Sequence, residues 1–185
     1  TVLLVLIIHF FLTYGSLLFL LTKVRLVYFY SKMKNAILFA FSTASSAATI
    51  PVTLKTVEEE LKVEKSVASF SVPLGATINM DGTAIMQGVA TIFIANAYGI
   101  NLEISDFISV IMVATLASIG TAGVPGVGLI MLAMVLNQVG LPSEGIALII
   151  GIDRLLDMTR TAVNVTGDAA ISCVVASSEK KINYN

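Results

Sequence analysis

The stretch SVPLGATINMDGTAIMQGVATIFIANAYGI, from Ser71 to Ile100, decides how the chain folds. It is almost wholly apolar, and Asp81 in its NMDGT segment carries the only charge between Lys65 and Glu103. Gly75 and Gly82 lie on either side of this aspartate and weaken a continuous helix. We therefore expect a membrane-crossing segment whose helix is broken in its middle, at the aspartate.

The composition of the whole chain is typical of a membrane protein. Hydrophobic residues make up 56% of the 185 residues and charged residues 12%, with a mean hydropathy of +0.91, whereas soluble domains carry about 25% charged residues. The net charge is −1 and no block of like charge exceeds the three glutamates 58–60, so we expect no nucleic-acid partner. A single cysteine and a single histidine argue against an internal disulfide and a zinc site.

The apolar segments are of two lengths, which predict two kinds of element. About 20 residues are needed to span a bilayer, whereas 10 to 14 more often mark a re-entrant segment. The predicted order is a spanning helix at 1–22, a re-entrant hairpin at 35–63, the interrupted span at 66–98, a second re-entrant hairpin at 104–140, and a polar-striped span at 144–178. Hairpin and span thus occur twice, which is typical of transporters built from inverted repeats.

Lysine and arginine in the loops predict the orientation of the chain. Loops 23–34, 58–65 and 179–181 fall on one side and hold all the loop lysines and arginines, whereas loops 99–106 and 137–145 hold none. Cytoplasmic loops carry the excess of these residues. We expect the first set to be cytoplasmic in a multi-pass protein of the plasma membrane. We expect that membrane to be the inner membrane of a prokaryotic cell. Because Thr1 already lies within an apolar segment, we also expect the chain to be the C-terminal part of a longer protein.

The last predicted span carries a stripe of polar side chains. At about 100° per residue they fall within roughly a 100° arc, and they are Asp153, Asp157, Arg160, Thr161, Asn164 and Asp168. An ionised side chain that faces lipid costs about 2.5 to more than 10 kcal/mol, so the stripe must face protein, water or ligand. With Asp81, the site has a deficit of cations, which either protons or small cations can fill.

The chemistry of the neighbouring groups indicates which ion and which solute could bind at this negatively charged site. Carboxylate, amide, hydroxyl and carbonyl oxygens are hard ligands that suit alkali or alkaline-earth ions, and sodium is the first choice. The guanidinium of Arg160 can grip a carboxylate bidentately. An arginine beside excess aspartate indicates a substrate that carries both charges, such as an amino acid.

Four motifs in order, SSAATIP, TINMDGTA, ASIGTAGVPG and DxxxDxxRTxxNVTGD, resemble those of the dicarboxylate/amino acid:cation symporters. This is the glutamate transporter family, which includes archaeal and bacterial sodium-coupled aspartate transporters. The resemblance covers nearly the whole chain and implies an all-α transport domain with two re-entrant hairpins, an interrupted seventh span and inverted repeats. It also implies a homotrimer in the lipid bilayer, an elevator mechanism, and an N-terminal scaffold outside this chain.

The resemblance also implies roles for particular residues. Asp157 would bind the substrate amino group and Arg160 its side-chain carboxylate. The other implied substrate contacts are Ser45, Ser46, Thr83, Val124, Gly126, Thr161 and Asn164.

Three sodium sites follow from the same resemblance. The first would use carbonyls of Gly75, Asn79 and Asn164 with the carboxylate of Asp168; the second, carbonyls of Thr77, Ser118, Ile119 and Thr121; the third, the side chains of Asn79 and Asp81. Asp153 would lie near the sodium and arginine sites.

The sequence departs from the family pattern in one respect. Members usually carry a further arginine at one of two places, which here are Ala44 and Met158. Proton coupling, or a neutral amino acid or dicarboxylate substrate, therefore stays open as an alternative. An intramembrane aspartyl protease needs a GxGD motif that the chain lacks, and we expect no enzyme. A passive ion channel is a further alternative, in which conduction would be secondary to transport. His9 and Cys173 are expected to be core residues.

Overall fold

The chain folds into helices around one long central helix. The structure, a computed structural model, describes residues 1–183. The main helices of this part are α1 (Val2–Leu21), α2 (Leu26–Thr43), α3 (Ser46–Lys55), α4 (Lys65–Ile78), α5 (Asp81–Ala97), α6 (Ile104–Ile119), α7 (Val127–Gln138) and α8 (Ile150–Ser178). A π-helical segment, Thr56–Glu60, follows α3, and a 3₁₀ helix, Ser143–Leu148, precedes α8. Among the described residues, β-structure is limited to an isolated antiparallel bridge between Val63 and Ile182. The predicted all-helical fold is confirmed.

Helix α8 is the centre of the molecule. Every residue from Arg160 to Ala170 is buried, and α1, α2, α4 and α5 all pack against this helix. Its apolar side chains, among them Val163, Ala169 and Cys173, join the largest hydrophobic core. Cys173 is therefore a core residue, as the sequence predicts. The polar stripe is buried on the other side of the same helix, so both sides of α8 contact protein.

Helix α1 is the one helix in the described chain that is both long enough and apolar enough to cross a bilayer, with a mean hydropathy of 2.3. Helices α6 and α7 are also apolar but shorter. The middle of α1, His9–Thr13, is a π-helical turn. Such turns are rare and occur frequently at functional sites.

The break predicted at NMDGT separates α4 from α5. Helix α4 ends at Ile78 and α5 begins at Asp81, so Asn79 and Met80 leave helical geometry. The Met80 carbonyl accepts from the amide of Thr83 and starts the next helix. Residues 79 and 80 thereby place polar backbone and side-chain groups beside α8.

Two helix pairs meet at their connecting turns. Helices α2 and α3 are joined at Ala44, which has a positive φ of 51°, and helices α6 and α7 are joined by residues 120–126. Ser45 Oγ donates to the Gly123 carbonyl at 2.7 Å, and the Ala47 amide donates to the same oxygen at 3.1 Å. We call residues 44–47 the first tip and residues 120–126 the second tip. The re-entrant character of the pairs and their inverted repeat stay predictions.

Ser45→Ala should destabilise the protein by about 1–2 kcal/mol, since it removes a helix cap and a contact between the tips. Ser45 Oγ accepts from the Ala48 amide as it donates to Gly123. The measurement is thermal unfolding of the purified protein in detergent. Ser42→Ala is the matched control, because the Ser42 hydroxyl is exposed and bonds only to its own helix. Equal unfolding temperatures for the two variants would contradict the tip contact.

Candidate functional site

The buried aspartates of the central helix separate into two groups along α8. Asp153 and Asp157 surround Arg160 near the second tip, whereas Asp168 lies lower on the helix, beside Asn79 of the break. Asp81 joins the lower group from the start of α5. We call the first group the arginine cluster and the second the break cluster.

Arg160 is held deep in the arginine cluster. Its side chain is 1% exposed, and Nη2 lies 2.9 Å from Asp157 Oδ1 and 3.3 Å from Asp153 Oδ1. Its Nε and Nη1 atoms are buried without a hydrogen-bond partner. A Cβ at Gly128 of α7 would lie 2.9–3.0 Å from the guanidinium, so a side chain there would displace the guanidinium from its present position. Two unpartnered buried donors point to a polar or anionic ligand, because buried polar groups are nearly always hydrogen-bonded.

Asp157 connects the arginine cluster to the second tip. Its Oδ2 accepts from the Gly126 amide at 2.9 Å, while its Oδ1 accepts from Arg160. Gly126 has a φ of +82°, a left-handed conformation that glycine adopts without steric cost. The second tip is therefore closed onto the carboxylate.

A small cavity lies under the two tips. It is lined by Ala44, Ser46, Met80, Thr83, Thr121, Ala122, Gly123, Val124, Gly128, Asp157, Thr161 and Asn164. Its volume of about 20 Å³ holds roughly one water molecule. An amino acid can enter only if a tip moves. The structure thus brings Ser46, Thr83, Val124, Asp157, Thr161 and Asn164 of the predicted substrate contacts to one place.

Asn164 ties α8 to the start of α5. Its Oδ1 accepts from the Gly82 amide at 2.8 Å, and its Nδ2 donates to the Met80 sulfur at 3.2 Å and to the Thr83 hydroxyl at 3.4 Å. A Cβ at Gly82 would lie 2.8 Å from Asn164 Oδ1. Gly82 therefore allows the close approach that fixes this asparagine, a role beyond the helix weakening seen in the sequence.

The break cluster gathers oxygen atoms around Asn79. The side-chain Nδ2 of Asn79 donates to Asp168 Oδ1 at 2.9 Å and to the Asn164 carbonyl at 3.3 Å. The backbone amide of Asn79 donates to the Gly75 carbonyl at 2.8 Å. A Cβ at Gly75 would lie 2.5 Å from Asp168 Oδ1, which explains the glycine. In residues 1–183 no three His, Cys, Asp or Glu side chains form a metal-binding group. The carboxylate, amide and carbonyl oxygens assembled here suit a small hard cation.

Asp81 has two partners that the sequence did not lead us to expect. Its Oδ2 accepts from His9 Nε2 at 2.6 Å and from the Tyr14 hydroxyl at 2.5 Å. The π-helical turn explains both contacts, since its wider turn brings residues five apart onto one side of the helix. The expectation that His9 serves only the core is wrong. The available signal was an ionisable residue in an apolar span, which is a functional candidate by default.

The other predicted ligands lie in different surroundings. Ser118 and Thr121 are buried, whereas Thr77 and Ile119 are exposed. The second sodium site therefore stays a prediction. Ser45 lies at the contact between the tips, and Gly126 contacts Asp157 through its amide.

Comparison with known proteins identifies the family of the chain. The family model of the sodium:dicarboxylate symporters matches residues 1–178. The chain belongs to that family. Because its members are transporters, the prediction that the chain is not part of an enzyme is confirmed.

Individual relatives are similar over most of the chain. Excitatory amino acid transporter 3 of Mus musculus is 45% identical over 98% of this chain and 35% of its own length. A putative sodium-dependent excitatory amino acid transporter of Caenorhabditis elegans is 47% identical over 91% and 32%, and excitatory amino acid transporter 2 of Homo sapiens is 44% identical over 91% and 29%. The chain spans about a third of the length of these relatives. They come from animals, and the prokaryotic origin of this chain stays a prediction.

Gly167→Ala should destabilise the protein by about 1–3 kcal/mol, the usual cost of overpacking. A Cβ at Gly167 would lie 2.5 Å from the Tyr14 hydroxyl and 2.6 Å from Asn79 Nδ2. The added methyl group would therefore push Tyr14 and Asn79 away from the aspartates of the break cluster. Gly88→Ala is the control, because a Cβ there meets nothing within 4 Å and alanine favours a helix by about 0.5–1 kcal/mol. Unfolding temperatures of both variants measure the difference, and a stabilising Gly167→Ala would contradict the packing.

Proposed function

We propose that the protein carrying this chain is a secondary active symporter that couples inward transport of an acidic amino acid, glutamate or aspartate, to sodium. The observation that carries the proposal is Arg160, which is buried under two tips with two donors unpartnered. The relatives named above as excitatory amino acid transporters support the substrate class, and the sodium-dependent relative supports the ion.

The substrate occupies the cavity under the tips once the second tip moves away. Its side-chain carboxylate pairs with the Arg160 guanidinium, whose planar fork matches a carboxylate. Its amino group takes the place of the Gly126 amide at Asp157 Oδ2. Hydroxyl and amide groups of the cavity wall then bind the α-carboxylate; they are the side chains of Ser46, Thr83, Thr161 and Asn164.

Sodium ions bind at the break cluster. Asp168 with the carbonyls of Gly75, Asn79 and Asn164 forms one site, and Asp81 with the Asn79 side chain contributes to another. Asn164 takes part in both functions, since its side chain lines the substrate cavity while its carbonyl faces Asn79. An ion that fixes Asn79 therefore fixes Asn164 and the wall of the cavity, which gives a physical route from sodium binding to substrate affinity.

The assembly and mechanism follow the family. The protein is a homotrimer in the plasma membrane, and the transport domain that contains this chain moves against a scaffold in an elevator mechanism. Membership of the symporter family and the apolar helix α1 support the membrane location.

The test is uptake of labelled L-aspartate and L-glutamate by sealed liposomes that contain the full-length protein. We expect accumulation that needs an inward sodium gradient and collapses when the gradient is dissipated. Uptake driven equally well by a proton gradient in sodium-free buffer would favour the proton-coupled alternative, and label that never accumulates would overturn active transport.

Arg160→Gln should lower kcat/KM for aspartate by about 10- to 150-fold, because a charged hydrogen-bonded pair contributes about 1.5–3 kcal/mol. Competition by neutral amino acids should change far less. Arg154→Gln is the control, since Arg154 lies on α8 but is exposed. Equal losses for acidic and neutral substrates would mean that Arg160 is structural, and unimpaired aspartate transport would remove it from the site. A wild-type preference for neutral substrates would favour the alternative suggested by Ala44 and Met158.

Tyr14→Phe should weaken the apparent sodium affinity by about tenfold, because it deletes a hydrogen bond to a charged carboxylate that contributes about 1.5–3 kcal/mol. The maximal rate at saturating sodium should change little. Tyr30→Phe is the matched control, since the Tyr30 hydroxyl donates to the Phe10 carbonyl, away from Asp81. Sodium titration of aspartate uptake measures both variants. A Tyr14 variant with unchanged sodium dependence would exclude Asp81 as an ion ligand held by Tyr14.

A further inference from the structure

A basic pocket lies at the end of the α2–α3 pair that is remote from the first tip. It has a volume of about 410 Å³ and is lined by Ser31, Lys32, Lys34, Asn35, Val52, Lys55, Thr56 and Glu60. Lys32 and Lys34 lie in the first half of α2, and Lys55 is the last residue of α3. The distribution of loop charges predicts that this end of the pair lies at the cytoplasmic surface of the membrane.

The pocket carries an excess of positive charge. Lys32 Nζ lies 2.6 Å from Glu60 Oε2, and this contact raises the pKa of Lys32 and lowers that of Glu60, so both stay charged at neutral pH. Lys34 and Lys55 are exposed and make no ion pair within residues 1–183. Three lysines against one glutamate leave a net charge of +2.

The polar groups beside the lysines suit an anion with several oxygen atoms. The side chains of Ser31 and Asn35 line the pocket and form no hydrogen bond within the described chain, so they can donate to a ligand. The volume falls in the usual range for small-molecule sites, about 300–1,000 Å³, and exceeds what a bare phosphate ion fills. A phosphate ester with a polar substituent fits the charge, the donors and the size.

Apolar side chains continue from the pocket toward the membrane interior. Leu38 and Phe39 of α2 are 63% and 41% exposed, and they follow Lys34 and Asn35 by four residues, which places them on the same helix face. Four residues advance about 6 Å along the helix, in the direction of the first tip. A ligand whose anionic head binds the lysines can therefore lay an acyl chain over this face.

We propose that this pocket binds the phosphate headgroup of an anionic lipid of the cytoplasmic leaflet, with its acyl chain along Leu38 and Phe39. Basic pockets between membrane helices on the cytoplasmic side are a known form of headgroup recognition. Because α2 and α3 carry the first tip, the lipid fixes the base of the pair whose tip closes the substrate cavity. The site differs from the substrate and sodium sites in residues and in ligand class.

The experiment is native mass spectrometry of the purified full-length protein in detergent, titrated with phosphatidylglycerol or phosphatidylcholine. We expect preferential binding of phosphatidylglycerol. The double variant Lys34→Gln/Lys55→Gln should weaken that binding about 30-fold, as expected if each lysine contributes about 1 kcal/mol at a membrane surface. Lys23→Gln/Lys65→Gln removes the same charge from exposed positions outside the pocket and should weaken it less than threefold. Lys34→Arg/Lys55→Arg keeps the charge and should retain binding.

Two outcomes would overturn the proposal. The first is equal weakening by the pocket variant and the control variant, which would assign the effect to general surface charge. The second is displacement of the bound phosphatidylglycerol by millimolar inorganic phosphate, which would make the pocket a site for a soluble anion. Lipid binding is measured without transport, so failure of the proposed symport activity would leave this result unchanged, and the reverse also holds.

Discussion

The structure depends on how buried carboxylates are compensated. A carboxylate removed from water at membrane depth is costly unless it is paired or neutralised, and the four aspartates of the site divide among three sets of partners. Asp157 and Asp153 share Arg160, Asp168 accepts from the Asn79 amide, and Asp81 accepts from His9 and Tyr14. Only the arginine brings a fixed positive charge. When both of its carboxylates are ionised, the break cluster carries more negative charge than its protein partners cancel, which is the condition under which a small cation binds.

Close approach at glycine makes these partnerships possible. Gly75 touches Asp168, Gly82 touches Asn164, and Gly128 touches the Arg160 guanidinium, each at a distance that a Cβ would not allow. Two of these glycines lie on the broken helix, where the sequence alone assigned them to helix weakening. Side chains at Gly75 and Gly82 would keep the backbone of α4 and α5 farther from the polar stripe of α8.

The sequence predicted the helical class, the break at NMDGT and the polar stripe of α8, because each depends on local pattern or on the cost of charge in a bilayer. The assignment of partners could not be predicted from periodicity. The six polar residues share one face, yet Arg160 contacts only Asp153 and Asp157 among the described aspartates. Asp168 instead accepts a hydrogen bond from the side chain of Asn79. His9 and Tyr14 were missed because their contact with Asp81 depends on a π-helical turn in α1, and the apolar sequence HFFLT gives no local sign of that turn.

The closed second tip binds the carboxylate to which the proposed function assigns the substrate amino group. Asp157 binds the Gly126 amide with one oxygen and Arg160 with the other, so both of its oxygens are engaged while the cavity has room for about one water molecule. Under the proposed function, a substrate ammonium group that binds Asp157 must displace the tip amide, whereas a substrate carboxylate can bind the unpartnered donors of Arg160. In that proposal, closure of the tip and occupation of the site are linked through the single side chain of Asp157.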